Sequence, residues 1–216
     1  MKLYKQKITK NDIKKRTIFI IIYVLLASIT AYFSYHVGIN PPMVNVYGMY
    51  VSVLIYLFFS HIMKFSDEFF LSGLIFVYMA SPMGSVINLY RSLGLYDKVV
   101  HFISGILLAA LGTIIVKKLM EKAKIDKSTP MTILITTLTA FTFSSAAAGI
   151  WEIIEFLADL LAGGEMQRGM VDTVTDIIAG NIGAIFFSVG MLIKELRRKP
   201  GTWKEIIKCL IQKKSQ

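Results

Sequence analysis

The chain has 216 residues, of which 55% are apolar and only 18% are charged, and it carries a formal net charge of +10. Soluble domains contain about 25% charged residues, so this composition excludes an ordinary soluble domain. A chain of this length can hold six membrane-spanning helices of about 20 residues and little else. The single cysteine, Cys209, excludes an intrachain disulfide and a cysteine-based metal site.

Six stretches are almost free of charged residues and are long enough to cross a hydrocarbon layer of about 30 Å as helices. They lack the alternation of apolar and polar residues that is typical of membrane strands. In chain order the predicted spans are 17–35, 43–60, 69–90, 99–116, 128–151 and 177–193. The sequence therefore predicts an all-α polytopic membrane protein with six transmembrane helices in a bundle.

The basic residues indicate the orientation of these spans. Of the 24 Lys and Arg residues, 21 lie on one alternating set of segments outside the spans, and this set includes both termini. The positive-inside rule then predicts a multi-pass cell-membrane protein with both termini in the cytoplasm. Topology and attraction to anionic lipid explain the basic charge. The expected partner is therefore membrane lipid, and no nucleic-acid partner is expected.

Three regions follow from this topology. Residues 1–16 are predicted to form a basic cytoplasmic N-terminal tail, residues 17–193 the six-helix membrane domain, and residues 194–216 a basic cytoplasmic tail. In the last tail, apolar residues recur at helical spacing, which predicts an amphipathic helix on the inner leaflet. These residues are Trp203, Ile206, Ile207, Leu210 and Ile211.

Acidic residues concentrate at the predicted outer ends of the last three spans. Residues that share a helix face there are Asp97 with His101, Glu152 with Glu155, and Asp172 with Asp176. Deeper in the membrane the same faces become small and apolar, and small residues allow helices to approach closely. The sequence therefore predicts that three polar stripes face one another and open toward the outer side only.

Converging carboxylates repel each other unless something compensates for their charge. An ionised carboxylate near the bilayer centre already costs about 2.5–3.5 kcal/mol. Three compensations are open: protonation of some carboxylates, pairing with water and nearby bases, or a bound divalent cation. One imidazole with several carboxylates suits Zn, Mn or Fe, whereas carboxylates alone suit Mg or Ca.

Each polar residue of this region has an expected role. If a metal ion is bound, the predicted ligands are His101, Glu152, Glu155 and Asp176. Asp97 is expected to orient the His101 imidazole, and Asp172 to act as a ligand or as a general base. Arg91 and Arg168 are candidates for holding a phosphate or carboxylate group of a substrate, with pairing at the surface or with lipid headgroups as the alternative.

The segments that carry these residues resemble known families. The motifs are YDKVVHF at 96–102, WEIIEF at 151–156, and Asp172-Thr173 followed by Asp176 and Gly183-Ala184. Together they resemble the YjdF-like family of bacterial inner-membrane proteins and, more distantly, the VanZ-like family, which is associated with glycopeptide resistance. The resemblance covers residues 69–193 and implies a common site. In the VanZ-like pattern that site would comprise Asp97, Lys98, His101, Glu152, Arg168, Asp172 and Asp176.

Three functions are compatible with this pattern. The first is an enzyme whose outward-facing His and carboxylate site, with or without a metal, acts on a lipid-linked or cell-envelope precursor at the outer leaflet. The second is a proton- or cation-coupled transporter. A transporter should have polar residues that continue to the cytoplasmic side, so stripes that become apolar inward favour a one-sided site. The third is a non-catalytic envelope-stress or assembly factor.

Overall fold

The computed structural model describes residues 3–163, 166–198 and 201–211. In these residues the regular structure is helical, apart from one β-bridge between Tyr4 and Phe65. The helices are α1 (Lys10–His36), α2 (Met43–Met63), α3 (Asp67–Tyr78), α4 (Leu89–Ser92), α5 (Tyr96–Lys122), α6 (Pro130–Ala162), α7 (Met170–Arg198) and α8 (Thr202–Ile211). A π-helical segment, Met79–Val86, continues α3. Six of these helices are long and apolar enough to span a membrane, which confirms the predicted fold class.

The chain divides into two compact units, residues 1–100 and residues 101–216. The first unit contains α1 to α4, and the second contains α6 to α8. Helix α5 begins in the first unit and continues without interruption into the second.

The N-terminal segment of the first unit is attached to the turn between α2 and α3. The backbone N–H of Lys5 donates to the Lys64 carbonyl at 2.8 Å. Helix α1 begins at Lys10, where the Thr9 side chain accepts from the Asp12 backbone and Asp12 accepts from the Thr9 backbone in return. Regular structure therefore starts well before residue 17, which the sequence predicts as the first residue of the membrane domain.

Buried ion pairs fix the same region. The Lys5 ammonium donates to Asp12 at 2.7 Å and to Asp67 at 2.8 Å, and both contacts raise the pKa of Lys5 above its usual 10.5. The Arg16 guanidinium donates to the Phe65 carbonyl and lies 3.4 Å from the Asp67 carboxylate. Asp12 and Arg16 are both buried. These charges stabilise the start of α1.

The third span departs from a regular α-helix around Pro82. Proline has no N–H to donate, and the Ile87 N–H reaches back five residues to the Pro82 carbonyl at 3.0 Å. Asn88 then adopts a left-handed conformation with φ 67° and ends the span. The sequence predicts one helix over 69–90, whereas the spanning helix covers Asp67–Val86 and is π-helical from Met79.

In the second unit, α6 and α7 are packed against each other, and the middle of the core is made of small side chains. Ala109 of α5, Ala140 of α6 and Ala184 of α7 are fully buried. Three larger residues pack around them: Phe141, Phe187 and Met191. Alanines at this level let the three backbones approach one another, which is typical of helix packing in membranes.

Large apolar side chains cover the outside of the spanning helices. Leu54, Leu161 and Phe186 are examples, with exposed fractions of 63%, 84% and 67%. Such surfaces are unfavourable in water and favourable against lipid tails, whereas polar side chains such as Thr113, Ser144 and Glu152 are buried between the helices of the second unit. The helices therefore have the surface of a membrane protein.

The C-terminal helix α8 is helical over Thr202–Ile211, as the spacing of its apolar residues predicts. It packs against α6. Ile206 and Ile207 are half-buried, and Ile211 is 74% exposed. The side chains of Trp203 and Leu210, which belong to the predicted apolar stripe, lie outside the described residues.

Candidate functional site

Polar side chains collect at two ends of the second unit. At one end lie His101 near the start of α5, Glu152 near the end of α6 and Asp176 near the start of α7, and we call this the acidic end. At the other end, Lys117 and Lys127 line a small cavity, and we call this the basic end. The predicted site residues of the last three spans belong to the acidic end.

A buried group of potential metal ligands is present there. Asp97 and His101 are one turn apart on α5, and each is 8% exposed, while Asp176 on α7 is 1% exposed. His101 Nε2 lies 3.8 Å from Asp176 Oδ1. One ligand atom from each of Asp97, His101 and Asp176 lies within 4.8 Å of the other two. Asp97, which the sequence predicts as a partner of the imidazole, is thus itself among the potential ligands.

The charges in this group explain why a cation suits it. Two ionised carboxylates whose oxygens lie within 4.8 Å of each other repel each other by at least roughly 3 kcal/mol at an effective dielectric constant of about 20. Lys98, whose Nζ is 3.8 Å from Asp97 Oδ2, offsets part of this repulsion. An imidazole with carboxylates is also a suitable ligand set for Zn, Mn or Fe.

Glu152 is the buried acid of α6. It is 4% exposed, and its Oε1 atom has no hydrogen-bond partner in the described part of the chain. A buried oxygen without a partner costs about 1–3 kcal/mol, more when it is charged, unless a ligand satisfies it.

Glycines bring α5 and α7 into backbone contact next to these residues. A Cβ atom added to Gly105 would lie 2.0 Å from the Gly180 carbonyl oxygen, and one added to Gly183 would lie 2.1 Å from the Phe102 carbonyl oxygen. The Ser144 hydroxyl of α6 donates to the Gly105 carbonyl at 2.9 Å. The close approach therefore sets the separation of the helices that carry His101 and Asp176.

Other predicted site residues have partners of their own. Trp151 donates to the Glu155 carboxylate at 2.7 Å, on the more exposed side of α6. At three residues' spacing on a helix, Glu155 is turned from Glu152 by about 60°. Neither glutamate belongs to the ligand group found among the described residues, so their predicted role as ligands stays a prediction.

The predicted substrate-binding arginines are both exposed. Arg168 Nε lies 3.2 Å from Asp172 Oδ2, one turn apart at the start of α7. This contact is the surface pairing that the sequence leaves open as the alternative role of Arg168. It also engages the carboxylate of Asp172, the predicted general base. Arg91 lies on the short helix α4 of the first unit. The roles of both arginines and of Asp172 stay predictions.

Below the acidic end, the interior becomes apolar and then polar again. Ala109, Ala140 and Ala184 form a fully buried layer. Beyond it, toward the basic end, buried hydroxyls return on all three helices: Thr113, Thr136 and Ser188. The sequence predicts stripes that become small and apolar inward, and this description holds for the first half of the unit only.

Two residues of this region were not selected from the sequence. Gln167 Nε2 donates to Thr173 Oγ1 at 2.8 Å, next to Asp172 at the start of α7. Neither side chain titrates, so a search for acids and bases misses them. Thr173 belongs to the Asp172-Thr173 motif quoted above and lies between two acids, and these are the signals that the sequence offers.

The fold and the site define an integral membrane protein with a buried His and carboxylate group. The family described as "Predicted membrane protein (DUF2238)" matches residues 15–196, and the chain belongs to this family. An uncharacterized protein of Thermotoga maritima is 29% identical over 108 residues, which are 50% of this chain. The match spans about half (53%) of that relative's length. No solved structure matches the chain significantly.

Proposed function

We propose that this membrane protein binds a divalent metal ion at its acidic end and acts there on a lipid-linked or cell-envelope precursor. The single observation that carries the proposal is the buried convergence of Asp97, His101 and Asp176, with ligand atoms within 4.8 Å of one another. Glu152, with its buried Oε1 atom that lacks a partner, is the candidate fourth ligand.

The ligand set suits Zn, Mn or Fe better than Mg because it includes an imidazole. When bound, such an ion polarises a phosphoryl or carbonyl group and lowers the pKa of a coordinated water. In this proposal Arg168, which is exposed just before α7, holds an anionic group of the substrate once it is released from Asp172.

The proposed orientation puts the acidic end outside the cell and both termini in the cytoplasm. It is supported by the distribution of Lys and Arg along the chain. The resemblance to the YjdF-like family agrees with an inner-membrane location, and the more distant resemblance to the VanZ-like family supports a role in the envelope. Reporter fusions at the two termini test the orientation, and activity of a periplasmic reporter at either terminus would contradict it.

The test of the metal site is elemental analysis of the purified full chain in detergent. We expect about one metal ion per chain in the wild type and less than a tenth of that in His101→Ala and Glu152→Gln. Glu121→Gln is the matched control, because Glu121 is an exposed acid that pairs with Lys127 at 2.9 Å. A metal-free wild type, after purification without chelator, would refute the proposal.

A proton- or cation-coupled transporter is the second candidate, and the polar residues beyond the alanine layer favour it. Thr113 and Ser188 are buried there, and Ser188 Oγ has no partner among the described residues. A path through the unit would need to cross the fully buried alanines. Ion flux into proteoliposomes that falls in Ser188→Ala but persists in Glu121→Gln would favour transport over the enzyme.

A further inference from the structure

The small cavity at the basic end is a candidate binding site that the proposed metal site does not use. Side chains of α5, α6, α7 and the loop between α5 and α6 line it: Lys117, Lys127, Ile133, Thr136, Met191 and Glu195. Met191 is the lining residue that faces the interior, because it packs against the alanine layer and its Sδ atom lies 3.6 Å from the Thr113 hydroxyl. The cavity therefore lies on the far side of the alanine layer from the acidic end.

Lys117 is the cation that lies deepest along the helices that line this cavity. It directly follows the stretch 99–116, which contains no Lys, Arg, Asp or Glu, so its ammonium group lies where the hydrocarbon layer meets the lipid headgroups. The residue is half-buried, and no ion pair of its ammonium group is found within the part of the chain that the structure describes. A half-buried ammonium group without a carboxylate partner is suited to an anionic ligand.

The other charged groups around the cavity leave a positive excess. Lys127 Nζ lies 2.9 Å from the Glu121 carboxylate, and this pair is exposed to solvent and therefore weak. Glu195 is the acid that lines the cavity, and its Oε2 atom lies 2.9 Å from the Arg198 guanidinium. Counted with Lys117, these side chains carry one net positive charge.

A phosphate diester is the ligand that this charge and lining suit. It carries one negative charge, and its oxygens accept strong hydrogen bonds from ammonium groups. Ile133 and Met191 add apolar surface beside the lysines, which suits the glycerol and acyl part of a lipid better than a free anion. Thr136 supplies no donor, because its hydroxyl donates to the Thr132 carbonyl at 2.7 Å. Basic pockets between spanning helices are known to bind lipid headgroups in this way.

We propose that the cavity at the basic end binds the phosphate group of an anionic phospholipid, with Lys117 as its main contact and Lys127 as its second. This is a discrete site for one lipid molecule, in addition to the general attraction between a basic surface and an anionic leaflet. It is independent of the metal site proposed above. In the proposed orientation of the chain, the lipid belongs to the inner leaflet.

Titration of phosphatidylglycerol into the delipidated full chain in detergent tests the site, with bound lipid counted by native mass spectrometry. We expect one lipid molecule to bind more tightly than any further ones. A hydrogen bond to a charged group contributes enough that Lys117→Met should weaken this binding by about tenfold or more. Lys117→Arg keeps the positive charge and should bind to within about threefold of the wild type.

Lys122→Met is the matched control, because Lys122 is exposed at the end of the same helix and does not line the cavity. Its lipid affinity should equal that of the wild type. Helix content and elution volume are measured for every variant. Lys127→Met, which changes a loop residue, is the second variant in case Lys117→Met does not fold, and it should weaken binding by about threefold or more.

Two further ligands identify the source of the phosphate group. Phosphatidylcholine has the same diester with a compensating positive charge, and we expect it to bind about tenfold more weakly or less. Affinity for phosphatidylglycerol that is unchanged in both Lys117→Met and Lys127→Met would overturn the proposal, since only general surface attraction would remain. Equal affinity for phosphatidylcholine would overturn the assignment to an anionic lipid. Displacement of the lipid by millimolar inorganic phosphate would overturn the lipid assignment in favour of the free anion.

Discussion

Substituting Gly183 by alanine tests whether the backbone contact between α5 and α7 sets the geometry of the acidic end. The added Cβ would lie 2.1 Å from the Phe102 carbonyl oxygen and 3.0 Å from its carbon. The shortest ordinary C–H···O contacts have carbon–oxygen distances of about 3.3 Å. The helices would therefore have to separate by roughly 1 Å, because the obstacle is backbone and cannot rotate away.

Two consequences follow from this displacement. Overpacking of a tight contact costs typically 1–3 kcal/mol, and the gain of about 1 kcal/mol in helix propensity from Gly to Ala offsets only part of it. Metal ligands tolerate deviations of only about 0.2 Å, so a 1 Å shift between the helices that carry His101 and Asp176 should remove the bound ion. We expect Gly183→Ala to unfold at a lower temperature in detergent and to lose the metal ion proposed for the acidic end.

Gly190→Ala is the matched control, since Gly190 lies on the same helix and a Cβ there would have no neighbour within 4 Å. Thermal unfolding and metal content are measured for both variants. Gly190→Ala should retain the proposed metal ion to the same extent as the wild type and be as stable as the wild type or slightly more stable. If Gly183→Ala behaves like Gly190→Ala in both measurements, the reasoning about the helix contact is refuted.

The remaining predictions concern stability away from the acidic end. Ala184→Leu should lower the free energy of unfolding by about 1–3 kcal/mol, because Ala184 is fully buried in a cluster with two other alanines and a larger side chain would overpack it. Unchanged unfolding would show that the alanine layer is loosely packed. Arg16→Met should cost about 1–3 kcal/mol, since it leaves the Phe65 carbonyl without its donor and removes a charge beside Asp67. Chemical unfolding in detergent measures this loss. As a control, Glu121→Gln removes the exposed ion pair with Lys127 and should change the free energy of unfolding by less than about 1 kcal/mol.

Much of the candidate site could be predicted from helix periodicity. Residues four apart on one helix must share a face, so Asp97 and His101 could be paired from the sequence. Glu155 shows where this reasoning ends: its 60° offset from Glu152 is compatible with facing either inward or outward. The contact with Trp151 places it on the more exposed side, and this contact depends on which side of α6 meets the other helices.

The sequence by itself determined the fold class and the number of spans, because the hydrophobic length of a helix is a local property that the membrane thickness selects. It also determined which polar residues lie near the same end of the helices. Only the tertiary structure decided which atoms meet: the glycine contact that brings α5 against α7, the alanine layer with hydroxyls beyond it, and the approach of His101 to Asp176. These features depend on the rotation and separation of helices that are distant in sequence, and residue spacing within one helix does not fix either quantity.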